Sequence, residues 1–196
     1  MRIISGEFKS RKLHFPASKL TRPMSDRTKE TLFNIISSSI PGSHVLDLYS
    51  GSGSVGLEAL SRGALDVTFV DQADWALKSI RKNLSDLDVE HRGFVVPMDV
   101  FQAIKKFEKE GRVFSMIFVD PPFNEGLVKK TLNRLDHSAI LAPFVQVIVG
   151  HATQEQAPEQ LETLKLVKTK KIGQAYLSFY GRLECVDGET QGNISG

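Results

Sequence analysis

The sequence predicts an α/β fold built on a doubly wound, mostly parallel sheet of seven strands. From residue 44 onward, short runs rich in Val, Ile and Phe alternate with amphipathic helical segments, a pattern typical of parallel strands covered by helices on both faces. The last two strand-like runs flank "IGQ" at residues 172–174 and have no helix between them. We therefore expect the final hairpin to be antiparallel.

The elements follow in order along the chain. The runs "RIIS" and "RKLHFP", separated by "GEFKS", predict an N-terminal β-hairpin. Ser25 or Asp26 can cap a helix whose buried face we expect to carry Leu32, Ile35, Ile36 and Ser39. The predicted strands are then "HVLDLY", "DVTFVD", "GFVVPM", "VFSMIFVD" and "FVQVIVG", with helices at 54–62, 73–85, 100–109 and 125–136. This gives a basic arm and linker at 1–24, a main domain at 25–186 and a flexible polar tail at 187–196.

Composition and charge limit the class of protein. The 196 residues are 41% hydrophobic and 24% charged, and no apolar run is long enough to cross a bilayer. We expect a cytoplasmic protein without an internal disulfide, since the chain has a single cysteine. Residues 1–29 hold eight Lys or Arg against two acidic residues, although the net charge of the chain is only +2. Such a basic arm fits a nucleic-acid backbone, but a solvated basic face explains the charge equally well.

Acidic residues stand at or near the ends of the first four predicted strands. They are Asp47, Asp71, Asp99 and Asp120. Ligands of open α/β sheets bind beyond the carboxyl ends of the strands, so we expect these carboxylates to lie along one ligand-binding edge. The alternative is that such an Asp only caps the following helix, and for Asp99 the two explanations are equally good.

A glycine turn follows the first strand, where Gly51, Gly53 and Gly56 spell G-x-G-x-x-G. The first two glycines allow positive φ or a close approach of the backbone to a ligand. Asp71, 20 residues beyond Gly51, is placed to accept hydrogen bonds from ribose hydroxyls. This pattern fits a nicotinamide dinucleotide as well as S-adenosylmethionine. Asp47 favours the second, because an anion there repels a pyrophosphate and attracts ammonium and sulfonium groups.

The stretch "FVDPPFNEG", residues 118–126, adds a rigid turn after a buried strand. Pro121 and Pro122 have fixed φ angles and no N–H donors, so the carbonyls of this turn are available as acceptors. An amine on an aromatic ring is a poor nucleophile because its lone pair is delocalised. If Asp120 and the Pro121 carbonyl accept its protons in hydrogen bonds, the lone pair is localised toward a methyl donor, while Phe123 stacks on the ring. A purely structural Pro-Pro loop beside a core phenylalanine is the alternative.

Together these segments resemble a known family. "DPPF" is similar to the D/N-P-P-Y/F/W motif of amino-group methyltransferases, and with "MRIISGEFKSRKL", "TRPMSDRTKETLFNII" and "VLDLYSGSGSVGLEALSRGA" it resembles the RsmD-type 16S ribosomal RNA guanine-N2 methyltransferases. The resemblance implies a Rossmann-like class I methyltransferase with a small RNA-contacting N-terminal hairpin. It also implies S-adenosyl-L-methionine as cofactor. The implied substrate is guanine 966 of 16S rRNA, in the small ribosomal subunit or its assembly intermediate.

Carried over by position, the resemblance assigns three groups of residues. The cofactor-binding residues are Asp47, Gly51, Ser52 and Gly53 for the methionine part, Asp71 for the ribose, and Asp99 with Val100 for the adenine. The catalytic residues that surround the guanine are Asp120, Pro121, Pro122 and Phe123. Thr21 and Pro23 match the family's segment near the site, and the expected RNA contacts are Arg11, Lys12 and Arg22.

Three departures from the family pattern stand out. Position 123 is Phe where many members have Tyr, the fifth strand ends "VIVGHA" where an acidic residue before the His is usual, and "IGQAYLSFY" differs from the common final hairpin. Methyl transfer to another planar amine (adenine in DNA, glutamine in protein), a nicotinamide-dependent dehydrogenase and a non-catalytic RNA-binding module remain as alternatives. We expect a monomer that does not bind a membrane. We also expect no metal site, since the five histidines show no ligand spacing.

Overall fold

A computed structural model describes residues 1–15 and 24–183 of the chain. These residues fold as two compact units, the first ending at Ala103 and the second beginning at Ile104. The tail predicted at 187–196 lies outside the described residues. None of the helices in the described part is long and apolar enough to cross a membrane.

In its described part, the first unit contains three α-helices, a short 3-10 helix (Ser37–Ser39) and three parallel strands. Its elements are α1 (Asp26–Ile35), β1 (His44–Leu48), α2 (Ser54–Ser61), β2 (Asp66–Asp71), α3 (Asp74–Asp86) and β3 (Gly93–Pro97). β1 pairs with β2 and β2 with β3 in parallel. The next helix, α4 (Val100–Lys109), continues into the second unit.

The second unit contains the remaining four strands. Its elements are β4 (Phe114–Val119), α5 (Leu127–Asp136), β5 (Leu141–Ala152), β6 (Leu164–Ile172) and β7 (Ala175–Arg182). β4 and β5 are parallel, whereas β7 is antiparallel to both β5 and β6. In the seven-stranded sheet the strand order is β3-β2-β1 within the first unit and β4-β5-β7-β6 within the second. The predicted mixed sheet with an antiparallel final hairpin is thus confirmed.

Helix α1 begins where the sequence predicts, but it buries a different face. The Ser25 hydroxyl accepts a hydrogen bond from the Thr28 N–H, which caps the helix. The buried positions are Lys29, Leu32, Phe33 and Ile36, whereas Ile35 and Ser39 are only partly buried. The buried face thus follows the spacing i, i+3, i+4, i+7, and the expectation that Ile35 and Ser39 belong to it was wrong. The face includes a lysine because a buried acid lies opposite it.

That acid is Glu58 on α2, and with Lys29 it forms an ion pair without solvent contact. Lys29 Nζ lies 3.4 Å from Glu58 Oε2, and both side chains are 0% exposed. Nζ also donates to the Arg2 carbonyl at 2.6 Å, and Glu58 Oε1 accepts from Arg62 Nε at 2.8 Å. Burial lowers the pKa of Lys29, and the charge of Glu58 opposes that effect.

The predicted N-terminal hairpin is reduced to one isolated antiparallel bridge, Arg2 with Lys12. The segment packs on α2 instead of extending as two regular strands. The Glu58 carboxylate accepts the N–H groups of Ile4 at 2.8 Å and Ser5 at 3.0 Å, and a Cβ on Gly6 would lie 1.8 Å from the Ser61 carbonyl oxygen. Hydrogen bonds to the helix therefore replace part of the strand pairing.

Strand β6 is the edge strand of the second unit, at the outer side of the β5-β7-β6 ladder. Its sequence, "LKLVKTKKI", places four lysines on this edge. They are Lys165, Lys168, Lys170 and Lys171, the last three of which are exposed. A bulge between Leu166 and Lys168 interrupts the pairing of β6 with β7.

Candidate functional site

The glycine turn of the first unit connects β1 to α2 through several left-handed residues. Tyr49, Gly51 and Gly53 have φ angles of 60°, 53° and 79°, and Gly53 is the N-cap of α2. Among the described residues, a Cβ on Gly51 would have only Trp75 Cη2 near it, at 3.8 Å. The backbone at Gly51 is therefore open to a ligand, as a cofactor-binding turn requires.

The third glycine of the motif serves packing. A Cβ on Gly56 would lie 2.4 Å from the Phe69 ring and 2.7 Å from Val67 Cγ1. No other residue fits between α2 and β2 at this distance. The glycine brings the start of α2 close to the sheet, and so it positions the N–H groups of the first helical turn.

Asp47 is almost completely buried, and one of its carboxylate oxygens accepts a hydrogen bond from the first turn of α2. Its Oδ2 accepts a hydrogen bond from the Gly56 N–H at 3.1 Å, while only 2% of the residue is exposed. The carboxylate thus satisfies a backbone donor in the first turn of α2. Its expected contact with the methionine part of the cofactor remains a prediction.

Asp71 ends β2 and holds two backbone groups. Its Oδ2 accepts the Gly51 N–H at 2.8 Å and its Oδ1 accepts the Ala73 N–H at 2.9 Å. These bonds fix the glycine turn to β2 and orient the carboxylate at the start of α3. Each oxygen has a second lone pair, so the carboxylate can still accept hydrogen bonds from a ribose.

Asp99 caps α4, which is the structural role that the sequence left open for this residue. Its Oδ1 accepts the N–H groups of Phe101 at 2.9 Å and Gln102 at 3.2 Å. Val100 beside it is buried, with 4% exposure. The expected adenine contacts of this pair are compatible with a cap, because the carboxylate has further acceptor sites.

A buried asparagine that the sequence reading missed ties the N-terminal segment to the glycine turn. The Asn83 amide accepts the His14 N–H at 2.6 Å and donates to the carbonyls of His14 at 3.0 Å and Ser52 at 3.1 Å. The available signal is a polar residue on the apolar face of α3, at i+3 from Ile80. Asn83 thus holds Ser52, a predicted cofactor residue, by its backbone.

The acceptor turn of the second unit follows β4. Pro121 is buried, whereas Pro122 and Phe123 are exposed, and Phe123 presents 45% of its surface. The turn continues through Asn124 at φ 63° and Gly126 at φ 66°, which is the N-cap of α5. The rigid proline pair is therefore followed by an exposed aromatic ring, and Phe123 is not the core residue that a purely structural loop would have.

Asp120, the first residue of this turn, is partly buried, and its side chain packs against Gly150 of β5. Removal of its carboxylate from solvent raises its pKa from 3.8 to about 6. The group is still ionised at neutral pH. A desolvated carboxylate is a stronger hydrogen-bond acceptor than a hydrated one, which suits a role in polarising an amine.

The expected RNA contacts are only partly described. Arg11 is exposed, and its guanidinium donates to the Asp86 carbonyl at the end of α3. Lys12 is exposed beside it. Arg22, with its neighbours Thr21 and Pro23, lies outside the described residues. In the described parts of the chain, no three His, Cys, Asp or Glu side chains are grouped so that they could hold a metal ion.

The sheet and its glycine turn define a Rossmann-like fold of the kind found in methyltransferases. A model of the family described as Conserved hypothetical protein 95 matches residues 1–181. The chain belongs to this family, the RsmD-type methyltransferases.

Individual relatives agree with this assignment. Ribosomal RNA small subunit methyltransferase D of Escherichia coli (strain K12) is 34% identical over 182 residues, which cover 93% of this chain and 90% of the relative. The protein of the same name from Haemophilus influenzae is 34% identical over 175 residues, 88% of this chain and 89% of the relative. The solved yhhF structure from Escherichia coli, described as a candidate methyltransferase, matches with a TM-score of 0.82 at 33% identity, covering 93% of this chain and 97% of that one. The predicted family and fold are confirmed.

Proposed function

We propose that this protein transfers a methyl group from S-adenosylmethionine to the N2 amine of a guanine in 16S rRNA, with guanine 966 as the candidate nucleotide. The observation that carries the proposal is the partly buried Asp120 carboxylate, which packs against Gly150 at the start of a Pro-Pro turn with an exposed Phe123. The names of the relatives support ribosomal RNA of the small subunit as the substrate. Since ribosomal subunits are its substrate, the protein works in the cytoplasm.

The residues of the first unit fit the cofactor. The open backbone at Gly51 leaves room for a ligand, and Asp71 beside it offers lone pairs to ribose hydroxyls. S-adenosylmethionine, when bound, supplies an electrophilic methyl group whose bonding electron pair stays on sulfur. Asp47, Ser52 and Gly53 contact its methionine part, and Asp99 with Val100 its adenine.

The residues of the second unit act on the amine. Asp120 and the Pro121 carbonyl accept its two N–H groups, which directs the nitrogen lone pair away from the ring. Phe123 stacks on the guanine and holds it in line. The new N–C bond uses that lone pair, and the nitrogen then loses one proton to water. Because a paired guanine has its amine engaged, the base must leave its stack, and looped RNA lowers that cost.

The central test is incubation of the protein with methyl-labelled S-adenosylmethionine and undermodified small ribosomal subunits, followed by mapping of the label. We expect incorporation at one guanine. Naked 16S rRNA and assembly intermediates are assayed in parallel, and sedimentation of the protein tests whether it acts as a monomer. Label on adenine or on protein contradicts the substrate assignment.

Asp71→Ala is expected to weaken cofactor binding. Loss of hydrogen bonds from ribose to a charged acceptor, worth about 1.5–3 kcal/mol each, should raise the Kd for S-adenosylhomocysteine by about 10- to 100-fold. Isothermal titration calorimetry measures this Kd. Asp74→Ala, which removes an exposed acid from the first turn of α3, is the control and should change the Kd less than twofold or so. Equal effects of the two variants would refute the ribose contact.

Phe123→Ala is expected to lower kcat/KM for the RNA by about 10- to 100-fold, because base stacking on an aromatic side chain is worth about 1–3 kcal/mol. Stability should change by no more than about 0.5 kcal/mol since the ring is exposed. Phe123→Tyr should retain activity. Phe144→Ala removes another exposed ring, 81% accessible, and serves as control. Full activity of Phe123→Ala would exclude the stacking role.

A further inference from the structure

Gly150, near the end of β5, lies directly against the Asp120 side chain. β4 and β5 are parallel, with Val119 opposite Val149, so the residues that follow each of these valines are also neighbours. A Cβ built on Gly150 would lie 2.4 Å from Asp120 Oδ1, 3.1 Å from Cγ and 3.7 Å from Cβ. In this protein the carboxylate thus occupies the space that a Cβ at position 150 would take.

Space, and not backbone conformation, accounts for the glycine. Gly150 is absent from the glycines of the described chain that have positive φ, so an alanine could adopt its backbone angles. Gly51 and Gly53 differ in this respect, since their left-handed φ angles favour glycine whatever surrounds them. At position 150 the three atoms nearest to an added Cβ all belong to Asp120, so contact with that side chain is the main obstacle to a larger residue.

The backbone at 150 cannot move aside to relieve that contact. β5 is held by β4 on one side and by β7 on the other, where Gly150 pairs with Leu177. The next residue, His151, is buried and fixed at both ring nitrogens. Nδ1 donates to the Glu155 carbonyl at 2.8 Å, and Nε2 lies 2.9 Å from the Ser178 hydroxyl. Any added atom must therefore displace the carboxylate.

The backbone of Asp120 is equally restrained. It precedes Pro121, and a residue before proline is confined to extended conformations. The carboxylate can leave the space next to Gly150 only by rotation of its own side chain. Such a rotation moves Oδ1 by more than 1 Å or so, a displacement that is enough to misalign a hydrogen bond to a reacting group.

We propose that Gly150 is a positioning residue for methyl transfer, which acts by leaving open the space that the Asp120 carboxylate needs to face the acceptor amine. The inference rests on the proposed function for its kinetic consequence. Its steric part, the contact between residues 120 and 150, can be tested without any activity.

The kinetic test is Gly150→Ala, assayed with labelled S-adenosylmethionine and undermodified small subunits. We expect kcat to fall by about 10²-fold, since a displacement of 1 Å costs that much. The KM for S-adenosylmethionine should stay within about twofold, because the cofactor residues are in the other unit. A kcat within about twofold of wild type, or a loss seen in KM alone, overturns the proposal.

The matched control is Gly93→Ala at the start of β3. A Cβ there would lie 2.3 Å from Leu84 Cδ2, so the substitution crowds a strand glycine to the same degree but meets a leucine. It should lower the midpoint of thermal unfolding and leave kcat unchanged. If Gly93→Ala reduces kcat as much as Gly150→Ala does, general destabilisation explains both variants and the positioning role is refuted.

The steric part is tested by a double-mutant cycle read by thermal unfolding. Gly150→Ala should lower the unfolding midpoint in the wild-type background and have no such effect in an Asp120→Ala background, where the nearest atom of residue 120 is 3.7 Å away. If Gly150→Ala alone fails to fold, the double variant must still fold. If Gly150→Ala lowers the unfolding midpoint equally in both backgrounds, the two side chains are not in contact and the proposal is overturned. If the destabilisation disappears in the Asp120→Ala background but the wild-type protein transfers no methyl group, only the proposed function is refuted.

Discussion

Asp120→Ala is expected to lower the rate of methyl transfer by about 10³-fold, the upper range for removal of one preorganised electrostatic group. The variant loses the acceptor that localises the lone pair of the amine, while S-adenosylhomocysteine should bind with unchanged affinity. Label transfer under single-turnover conditions measures the loss. Glu125→Ala, which removes an exposed acid from the same loop, is the control. Activity within tenfold or so of wild type would exclude Asp120 from the reaction.

The same variant should be more stable than wild type at neutral pH. The folded-state pKa of Asp120 is raised from 3.8 to about 6, so between these values the folded protein keeps a proton that the unfolded chain has lost. Stability therefore falls as pH rises through this window and is lowest above it. The cost of the charged form at pH 7.5 is at most about 3 kcal/mol, part of which the lost packing of the side chain offsets.

Urea unfolding at pH 4 and pH 7.5 tests this sign. The stability advantage of Asp120→Ala over wild type should be present at pH 7.5 and shrink toward pH 4, where the wild-type carboxyl is protonated in the folded state and partly protonated in the unfolded chain. In the wild-type enzyme, activity should fall as pH drops through about 6, since protonation removes an acceptor. An advantage that grows toward acid would mean that the pKa is lowered.

Glu58→Ala is expected to destabilise the protein by about 3–5 kcal/mol, because it leaves Lys29 as an uncompensated buried cation. The variant also releases the N–H groups of Ile4 and Ser5 and frees Arg62. Since Glu58 connects α1, α2 and the N-terminal segment, the loss should be among the largest for a single substitution in the first unit.

Urea unfolding followed by circular dichroism measures the free energy of unfolding of this variant. Glu30→Ala removes an exposed acid from α1 and should stay within about 0.5 kcal/mol of wild type. Adding Lys29→Met to Glu58→Ala should recover part of the loss, because the buried charge is then gone. A Glu58→Ala protein as stable as the Glu30→Ala control would show that water reaches Lys29.

Most elements were predictable because apolar periodicity marks them. The parallel strands and the final hairpin have bounds close to those expected, since each is a short apolar run between polar residues. The N-terminal hairpin was wrong in detail. Its alternating pattern is real, but the N–H groups of Ile4 and Ser5 bond to Glu58, which is distant in sequence. The burial of Lys29 has the same cause and the same lack of a local signal.

The position of the candidate site was easier to predict than the hydrogen bonds that its residues make. Acidic residues at strand ends are visible in the sequence, but their bonds to backbone N–H groups are not. Asp47, Asp71 and Asp99 each hold a helix start or the glycine turn. Gly150 attracted notice only as a departure from the usual acidic residue before His151. The space it leaves for Asp120 depends on the register of two strands, which no single segment encodes.

The lysines of β6 bear on how this protein behaves at high concentration. An outermost strand offers unpaired N–H and carbonyl groups to any extended chain, and lysines along such a strand oppose its addition by charge repulsion and desolvation cost. Lys168, Lys170 and Lys171, together with the bulge after Leu166, make this margin a poor template for a second copy. Colloidal stability therefore depends on a strand that carries none of the predicted site residues, and neutralising those lysines would favour aggregation.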